Sequence, residues 1–458
     1  MKNKNFAKLL IIFLLFSLVL TFASCSALKD PVGISKAKIN DDGELILTYT
    51  NGEKVNLGVV VGEDGKDGKD GKDGEDGKDG EDGKDGINGV DGNDGKDGKD
   101  CTHTSSGNNV SLQSTIAKNL TSSVSIFCGF EKASMFGQNQ EYSSAGAGVI
   151  YKMNKALGEA FIITNYHVVY DPDCNTDDGI SDNIYVYLYG SEFEQHAMKA
   201  DYIGGSLSHD IAVLHIKDSD MIKNSDASPI SAADSDKINV GESAVAIGNP
   251  EGMGFSTSLG IVSVDSEYIE MLGADGITAV KFRVMRIDTA VNGGNSGGGL
   301  FNSKGELIGI VNAKVQSSNV ENIAYAIPSN LALAVADNII YYCLGTEVYA
   351  PQRAMLGIEM QITDSHAEYD SENSQIKIVE EITVVTISEN SLAYGLFEIN
   401  DIFISATYGD KTVEINRLHT PEFMLNVRPG DTVTFTVERN GELKNLDVTI
   451  QEENLVAN

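Results

Sequence analysis

A serine set in a run of glycines has the clearest chemical setting in this sequence. Ser296 lies in the stretch DTAVNGGNSGGG, which begins at Asp288. A serine hydroxyl is a poor nucleophile unless a general base lies within hydrogen-bond reach. Glycines on either side let the backbone turn so that its N–H groups converge beside the hydroxyl, where they would stabilise the negative oxygen of a tetrahedral intermediate. The stretch therefore predicts a nucleophilic serine, although alone it also fits a glycine-rich surface turn.

A histidine and an aspartate elsewhere in the chain have the settings of a base and of its orienting carboxylate. His167 follows the apolar run that ends at Thr164, and Asp210 precedes the apolar run 211–214. Strand ends hold a side chain firmly and leave its tip open to a cleft. The chain order His, Asp, Ser is that of chymotrypsin-type triads and differs from the subtilisin and α/β-hydrolase orders. The remaining histidines lack such a setting and are expected to be solvated or packing residues: His103, His196, His209, His215, His366 and His419.

Short apolar β-runs separated by turn residues dominate the chain from about residue 111 onward. Their spacing is typical of all-β barrels, and the interval between Asp210 and Ser296 leaves room for a second barrel. Residues 329–345 predict a helix, and residues from about 350 to 455 contain strands of their own. We therefore expect a mainly β protein, with a chymotrypsin-like double β-barrel followed by a smaller α+β domain.

These motifs resemble those of the HtrA (DegP-like) family of trypsin-fold serine proteases, over about residues 111–345. The resemblance implies that Ser296 is the nucleophile, His167 the general base and then acid, and Asp210 the carboxylate that orients the histidine. It also implies an oxyanion hole formed by the backbone N–H groups of Gly294 and Ser296, with Asn295 between them. The stretches that carry the resemblance are Thr164–Val169, His209–Leu214, Ile247–Pro250 and Gly294–Gly298.

Residues around the nucleophile also predict specificity and loop behaviour. Ala290 stands six residues before the serine, where trypsin-like enzymes with a basic preference carry an aspartate. We therefore expect a small or medium apolar P1 residue in an extended substrate. Gly293 and Gly299 stand where the family usually has proline, and we expect both to loosen the nucleophile loop. The substrate strand is expected to pair beside four residues of the segment after the nucleophile: Ile310, Val311, Asn312 and Ala313.

The C-terminal segment resembles a PDZ domain. Leu356, Gly357 and Ile358 resemble its carboxylate-binding loop, where backbone N–H groups capture a chain terminus. Residues 390–396 resemble its helix, and residues 400–403 the strand that follows. Asn400 departs from the pattern because glycine is usual there. The resemblance implies that peptide C-termini bind this domain, while an unrelated small β-domain is the alternative.

The first residues of the chain predict export. Residues 1–24 combine a lysine-rich start with a short apolar stretch and small residues, which is typical of a secretory signal. Cys25 follows a sequence that resembles a bacterial lipobox, with Phe22 where leucine is usual. We expect cleavage before Cys25 and a lipid anchor on that cysteine, at the surface of the bacterial membrane. A plain signal peptide is the alternative.

A strict three-residue repeat separates the N-terminus from the catalytic motifs. Glycine occupies every third position from Gly62 to Asp100, and no proline occurs in the run. Only glycine fits the crowded axis of a collagen triple helix, so the repeat predicts a parallel homotrimer. The alternative is an extended, charged linker.

Before the run, residues 45–50 and 55–61 flank Asn51-Gly52 and predict a β-hairpin.

Composition limits the partners of this chain of 458 residues. Its formal net charge of −33 argues against nucleic acid, because phosphate binding requires a cationic surface. No metal site or cofactor is predicted.

The expected function is that of an exported serine endopeptidase that cleaves unfolded or misfolded envelope proteins. The alternative is a catalytically quiet, collagen-like surface lipoprotein that serves binding or scaffolding. The expected domains are a signal peptide (1–24), a hairpin module (25–61), the collagen-like repeat (62–100), the protease domain (101–345) and the PDZ-like domain (346–458).

Overall fold

The computed structural model describes residues 34–40, 44–59, 111–133, 139–191, 194–312, 323–371, 375–418 and 420–457. The chain divides into two compact units, residues 1–100 and 101–458. No helix among the described residues is long and apolar enough to cross a membrane. The signal segment, Cys25 and the repeat over 62–100 lie outside the described residues.

The described part of the first unit is a three-stranded antiparallel sheet with the order β1-β2-β3. Gly52 has a φ of +85°, which is the left-handed conformation that a tight Asn-Gly turn requires. The structure thus contains the predicted hairpin, and it adds a strand before it that the sequence did not indicate. The strands are β1 (Ile34–Ile39), β2 (Glu44–Tyr49) and β3 (Lys54–Val59).

The second unit begins with a short helix and an antiparallel sheet. In the helix α1 (Leu112–Leu120), the Ser111 side chain accepts a hydrogen bond from the Ser114 N–H and caps the first turn. The described strands of the sheet have the order β8-β7-β4-β5-β6-β10-β9. They are β4 (Ser123–Lys132), β5 (Gln140–Asn154), β6 (Glu159–Thr164), β7 (Asn183–Leu188), β8 (Met198–Lys199), β9 (Asp201–Ser206) and β10 (Ile211–Ile216). Two short helices accompany them, α2 (Tyr166–Val169) and α3 (Asp220–Asn224).

The next six strands form a closed barrel with the order β11-β12-β13-β16-β15-β14. Residues of both sheets, such as Ile163 and Val213 in the first and Ile247 and Phe301 in the barrel, share one buried apolar core. The prediction of a mainly β protein with a chymotrypsin-like fold is therefore confirmed; of the two expected barrels, the second is closed and the first is a seven-stranded sheet in the described residues. The strands are β11 (Ser243–Gly248), β12 (Ser256–Leu272), β13 (Ala279–Ile287), β14 (Gly299–Phe301), β15 (Leu307–Asn312) and β16 (Ala324–Pro328).

A long helix and a further sheet complete the second unit. The helix α4 (Ser329–Cys343) lies within the predicted span of 329–345. Its neighbours β17 (Gln352–Ala354) and β24 (Leu455–Ala457) pair with each other. In the last sheet the described order is β18-β19-β20-β22-β23, with β21 on β20. The remaining elements are β18 (Ile358–Asp370), β19 (Gln375–Ile387), β20 (Ile402–Tyr408), β21 (Lys411–Glu414), α5 (Thr420–Phe423), β22 (Thr432–Arg439) and β23 (Glu442–Thr449).

The expectation of a helix over residues 390–396 is wrong. The structure has consecutive turns there, closed by hydrogen bonds such as those from the Tyr394 N–H to the Ser391 carbonyl and from the Leu396 N–H to the Ala393 carbonyl. Gly395 has a φ of +78°, outside the helical region, which ends any helical continuation.

Buried polar contacts dock the last sheet on the barrel. The Asn338 side chain of α4 is fully buried and donates from Nδ2 to the carbonyls of Gln352 and Leu425, at 2.7 and 2.8 Å. Arg283 of β13 is 2% exposed and forms ion pairs with Asp236 at 2.8 Å and with Glu422 at 3.0 Å. Because a buried arginine left without its carboxylates costs several kcal/mol, the pair with Glu422 holds the C-terminal domain against the barrel, while the pair with Asp236 ties β13 to the segment before β11.

Candidate active site

His167 lies in the first turn after β6. Thr164, at the end of that strand, donates its hydroxyl to the Ala147 carbonyl at 2.7 Å, which ties the strand end to β5. The fully buried Asn165 donates from Nδ2 to the Asp210 carbonyl at 2.8 Å. These two bonds hold the two residues that immediately precede α2, and the His167 ring of that helix faces the aspartate.

The Asp210 carboxylate receives three hydrogen bonds. It precedes β10 with a φ of +52°, a left-handed conformation that aspartate tolerates better than most residues. Its Oδ1 accepts the His167 backbone N–H at 2.9 Å, and its Oδ2 lies 2.6 Å from His167 Nδ1. Oδ2 also accepts from Asn312 Nδ2 at 2.8 Å. The carboxylate is thereby set in one orientation, and the ring bond assigns the proton of the neutral imidazole to Nδ1.

The loop that carries Ser296 packs against β5 and the end of β6, the strand that precedes the histidine. The Ser296 carbonyl accepts the Ala147 N–H at 2.8 Å. Gly297 has a φ of +83°, and a Cβ there would lie 2.2 Å from both the Ala147 carbonyl and the Thr164 hydroxyl. Only glycine permits this approach. The Ser296 hydroxyl makes no hydrogen bond within the described part of the chain.

The peptide before the nucleophile is oriented by a neighbouring loop. The Gly293 carbonyl accepts the Glu251 N–H at 2.8 Å, and the Gly294 carbonyl accepts the Asn249 N–H at 3.2 Å. In a trans peptide the N–H points opposite to the carbonyl, so the Gly294 N–H points away from Glu251. Neither this N–H nor that of Ser296 donates to any residue that the structure describes. Two unengaged donors therefore stand on either side of residue 295.

Asn295 and Gly299 are held by the barrel. Asn295 is 5% exposed, and its carbonyl accepts the Gly298 N–H at 3.0 Å. Gly299 lies in β14 and pairs with Ile247 on one side and Ile310 on the other. The expectation that Gly299 loosens the loop is therefore wrong, because pairing on both edges fixes its backbone.

The phenyl ring of Phe301 occupies the space that a side chain at position 299 would need. A Cβ on Gly299 would lie 2.4 Å from that ring. Glycine at this position is thus accounted for by packing. Gly293 has only the Glu251 carboxylate near its Cβ position, at 3.5 Å.

The residues expected to bind substrate lie in different places. Ala290 is exposed, and its carbonyl accepts the Ser258 hydroxyl at 2.7 Å. Ile310 and Val311 are fully buried. The Val311 N–H donates to the Gly298 carbonyl at 2.8 Å and its carbonyl accepts the Gly297 N–H. The expectation that a substrate strand pairs with Val311 is wrong, because both backbone groups of that residue are already paired. The chain that continues β15, residues 313–322, lies outside the described residues.

Asn312 is the site residue whose role the sequence did not indicate. We expected it to contact substrate, but its fully buried side chain donates to the Asp210 carboxylate from the opposite sheet. No motif marks this pairing, because the two residues are brought together only when the barrel closes against the first sheet. Asn312 is therefore a positioning residue for Asp210.

Replacing Asn312 tests that positioning role. A hydrogen bond to a charged group contributes about 1.5–3 kcal/mol, so we expect Asn312→Ala to lower kcat roughly 10- to 100-fold with little change in KM. Asn312→Ser, which retains a shorter donor, should recover part of the loss. Steady-state kinetics on one peptide substrate, with melting curves for all three proteins, provide the measurement. Equal kcat values in Asn312→Ala and the parent protein would exclude the role.

The carboxylate-binding loop expected at 356–358 has its carbonyls engaged and two of its N–H groups unengaged. The Leu356 carbonyl accepts the Ala393 N–H at 3.1 Å, and the Gly357 carbonyl accepts the Ser388 N–H at 2.8 Å. Within the described residues, neither Leu356 nor Gly357 donates its own N–H. Ile358 pairs with Ile387 at the start of β18.

Two other titratable groups, His209 and Cys128, do not compete with the triad. Burial, with the nearby Arg353 guanidinium, lowers the pKa of His209 to about 4, so its ring is neutral at neutral pH. Burial raises the pKa of the Cys128 thiol to about 12, which makes it a poor nucleophile. Among the described residues, no group of three or more His, Cys, Asp or Glu side chains could hold a metal ion.

Two protein families match parts of the chain. The trypsin-like peptidase domain matches residues 146–310, which include His167, Asp210 and Ser296. The collagen triple helix repeat matches residues 52–110.

Individual relatives extend the match beyond these domains. "Serine protease Do-like HtrA" of Lactococcus lactis subsp. lactis (strain IL1403) is 31% identical over 346 residues, which are 72% of this chain and 76% of the relative. "Serine protease Do-like HtrB" of Bacillus subtilis (strain 168) is 30% identical over 67% of this chain and 62% of its own length. The solved structure "HtrA-type protease AlgW with tripeptide" gives a TM-score of 0.48 at 24% identity, covering 76% of this chain and 98% of that one. With 31% identity over 72% of this chain and 76% of the relative's length, the chain belongs to the Do-like HtrA family of serine proteases.

Proposed function

We propose that Ser296, His167 and Asp210 carry the serine endopeptidase activity of this chain. The observation that carries the proposal is the Asp210 carboxylate, which bonds the Nδ1 atom of His167 at 2.6 Å and leaves Nε2 to accept a proton. His167 takes the proton of the Ser296 hydroxyl as the oxygen attacks the substrate carbonyl. The ring then protonates the leaving amine, and water hydrolyses the acyl-enzyme by the same steps in reverse. In structures without substrate the hydroxyl–imidazole bond is often long and tightens in the complex.

The oxyanion hole in this proposal is formed by the N–H groups of Gly294 and Ser296. Both donors are unengaged in the described structure, and the Glu251 N–H orients the peptide that carries the first. Donors held in place before the reaction stabilise the tetrahedral oxyanion without reorganisation, and each contributes about 3–4 kcal/mol to lowering the barrier. Asn295 stands between them and supplies the turn.

The proposed substrates are unfolded polypeptides, which present an extended segment to the cleft. The N–H groups of Leu356 and Gly357 suit a C-terminal carboxylate. We therefore assign residues 346–458 as a PDZ-like domain that recruits chain ends to the protease domain at 101–345.

We further propose export to the bacterial envelope, anchoring through lipid on Cys25 after removal of residues 1–24, and a homotrimer joined by the repeat at 62–100.

A panel of peptides that differ only at P1 tests the substrate proposal. Because Ala290 offers no carboxylate to a basic side chain, cleavage after Val or Ala should exceed cleavage after Arg or Lys by roughly 10-fold or more in kcat/KM. Rates from quenched fluorescent peptides provide the measurement, and the Ser296→Ala protein provides the background. Ala290→Asp is the matched variant, and it should raise the relative rate after Arg. Faster cleavage after Arg by the parent protein would contradict the proposal.

A further inference from the structure

One edge of strand β5 is open beside the nucleophile. The Ala147 N–H points away from β4 and donates to the Ser296 carbonyl at 2.8 Å. Because backbone groups alternate in direction along a strand, those of Ala145 point to the same edge, about 7 Å further along. β6 pairs with β5 only from Val149 onward, and among the described residues no other backbone group bonds Ala145 on this edge. An extended segment can therefore pair with Ala145.

The position of the histidine decides which half of a substrate runs along this edge. His167 follows β6, and the Thr164 hydroxyl at the end of that strand bonds the Ala147 carbonyl at 2.7 Å. In the proposed mechanism His167 protonates the leaving amine, so the leaving half of the substrate lies on the side of β5 and β6. Ala145 is two residues beyond Ala147, and it therefore pairs with the second residue after the scissile bond, P2′.

The short turn Pro250–Gly252 lies on the same face of β5 as the Ala145 side chain. A Cβ on Gly252 would lie 3.3 Å from the Ala145 Cβ. Directly opposite residues of paired strands project their side chains to one face of the sheet, with Cβ atoms about 5 Å apart. A P2′ side chain opposite Ala145 therefore points towards this turn.

The Glu251 carboxylate stands in this turn without a partner. Its Oε1 would lie 3.5 Å from a Cβ on Gly293, the residue before the first donor of the proposed oxyanion hole. Glu251 is exposed, and no cation in the described part of the chain pairs with it. Its φ of +53° is a left-handed conformation that costs energy for residues other than glycine. Strain of this kind clusters at active sites and ligand clamps, which supports a role for this side chain in binding.

Resting on the proposed function, we infer that Glu251 determines specificity for the leaving half of the substrate. Its carboxylate pairs with a lysine or arginine side chain at P2′ and repels an acidic one. The substrate class is therefore unfolded chain with an apolar residue at P1 and a basic residue at P2′. A single exposed ion pair has a modest effect, but exchanging Lys for Glu at P2′ replaces attraction by repulsion. The two effects add, so we expect about 10-fold selectivity in kcat/KM.

Two isomeric peptides test this inference. Both carry Val at P1; one has Lys at P2′ and Glu at P6′, and the other has these two residues exchanged. Their composition and net charge are identical, so the general attraction of a chain of net charge −33 for cations acts equally on both. We expect the parent protein to cleave the first peptide about 10-fold faster in kcat/KM. The ratio should fall towards 1 in about 0.5 M salt, which screens an exposed pair.

Variants of one carboxylate assign the selectivity. Glu251→Gln removes the charge and keeps the shape, so the ratio of the two rates should become about 1. Glu251→Lys should invert the ratio. Glu270 is an exposed carboxylate near the other end of β12, and Glu270→Gln, the matched control, should keep the ratio of the parent. Because each ratio compares two peptides on the same protein, a partial loss of folded enzyme in a variant cancels.

The outcomes separate this inference from the function on which it rests. Rates are measured against the Ser296→Ala protein as background. Equal rates for the two isomers on the parent, or an unchanged ratio in Glu251→Gln, would overturn the inference and leave the triad in place. A parent protein that cleaves neither isomer above background would overturn the proposed function, and the inference with it.

Discussion

Replacing Ser296 with alanine should lower kcat by about 10⁵- to 10⁶-fold, because the reaction then has no nucleophile to form the acyl-enzyme. The fold should be unaffected. The Ser296 hydroxyl makes no hydrogen bond with the described residues, so its removal breaks none. We expect the free energy of unfolding to change by less than about 0.5 kcal/mol. Single-turnover kinetics on a peptide with an apolar P1 residue, together with a melting curve, provide the measurement.

A nearby serine provides the control for this prediction. Ser303 is exposed and lies seven residues after Ser296, so Ser303→Ala should leave kcat unchanged. Activity of Ser296→Ala within 100-fold of the parent would mean that another residue attacks the substrate.

The second large effect is expected for Asp210→Asn, which should lower kcat about 10⁴-fold. The Oδ1 atom accepts the His167 backbone N–H, whose proton cannot move. The amide must therefore place its oxygen there and its NH₂ group at the Oδ2 position, opposite His167 Nδ1 and the Asn312 amide. The NH₂ group forces Nδ1 to accept, so the ring proton moves to Nε2. A ring with its proton at Nε2 cannot take the proton of the serine.

Asparagine is the right substitution for this test because it tolerates the left-handed φ of +52° at position 210 as aspartate does. Backbone strain therefore stays constant, and the loss reports the tautomer. Steady-state kinetics provide the measurement. They are run with a peptide substrate and with an ester substrate, which has the better leaving group. A decrease smaller than 10-fold would show that Asp210 does not orient the base.

Local patterns predicted the parts of this protein that depend on contiguous residues. The Gly-Asn-Ser-Gly-Gly string predicted a tight loop, and Gly294 and Gly297 have the positive φ values of +90° and +83° that such a loop requires. The long apolar helix α4 and the Asn51-Gly52 turn were predicted for the same reason: propensity and periodicity act within a few residues.

Features that depend on packing between distant residues were missed. Asn312 and Asp210 are 102 positions apart, and nothing in either stretch signals their hydrogen bond. Gly299 was interpreted as a source of flexibility, although pairing on both edges of β14 fixes it and the Phe301 ring excludes a side chain. In the C-terminal domain, residues 390–396 contain helix-compatible side chains, but the turn at Gly395 outweighs that weak preference.

Covalent labelling with a fluorophosphonate tests most directly whether His167 and Asp210 activate Ser296. We expect the protein to be modified at one serine, within the peptide that contains Ser296. Labelling should be lost in Ser296→Ala and slowed by several orders of magnitude in His167→Ala. A parent protein that takes up no label, or that carries it on a different serine, would show that these residues do not form the catalytic triad.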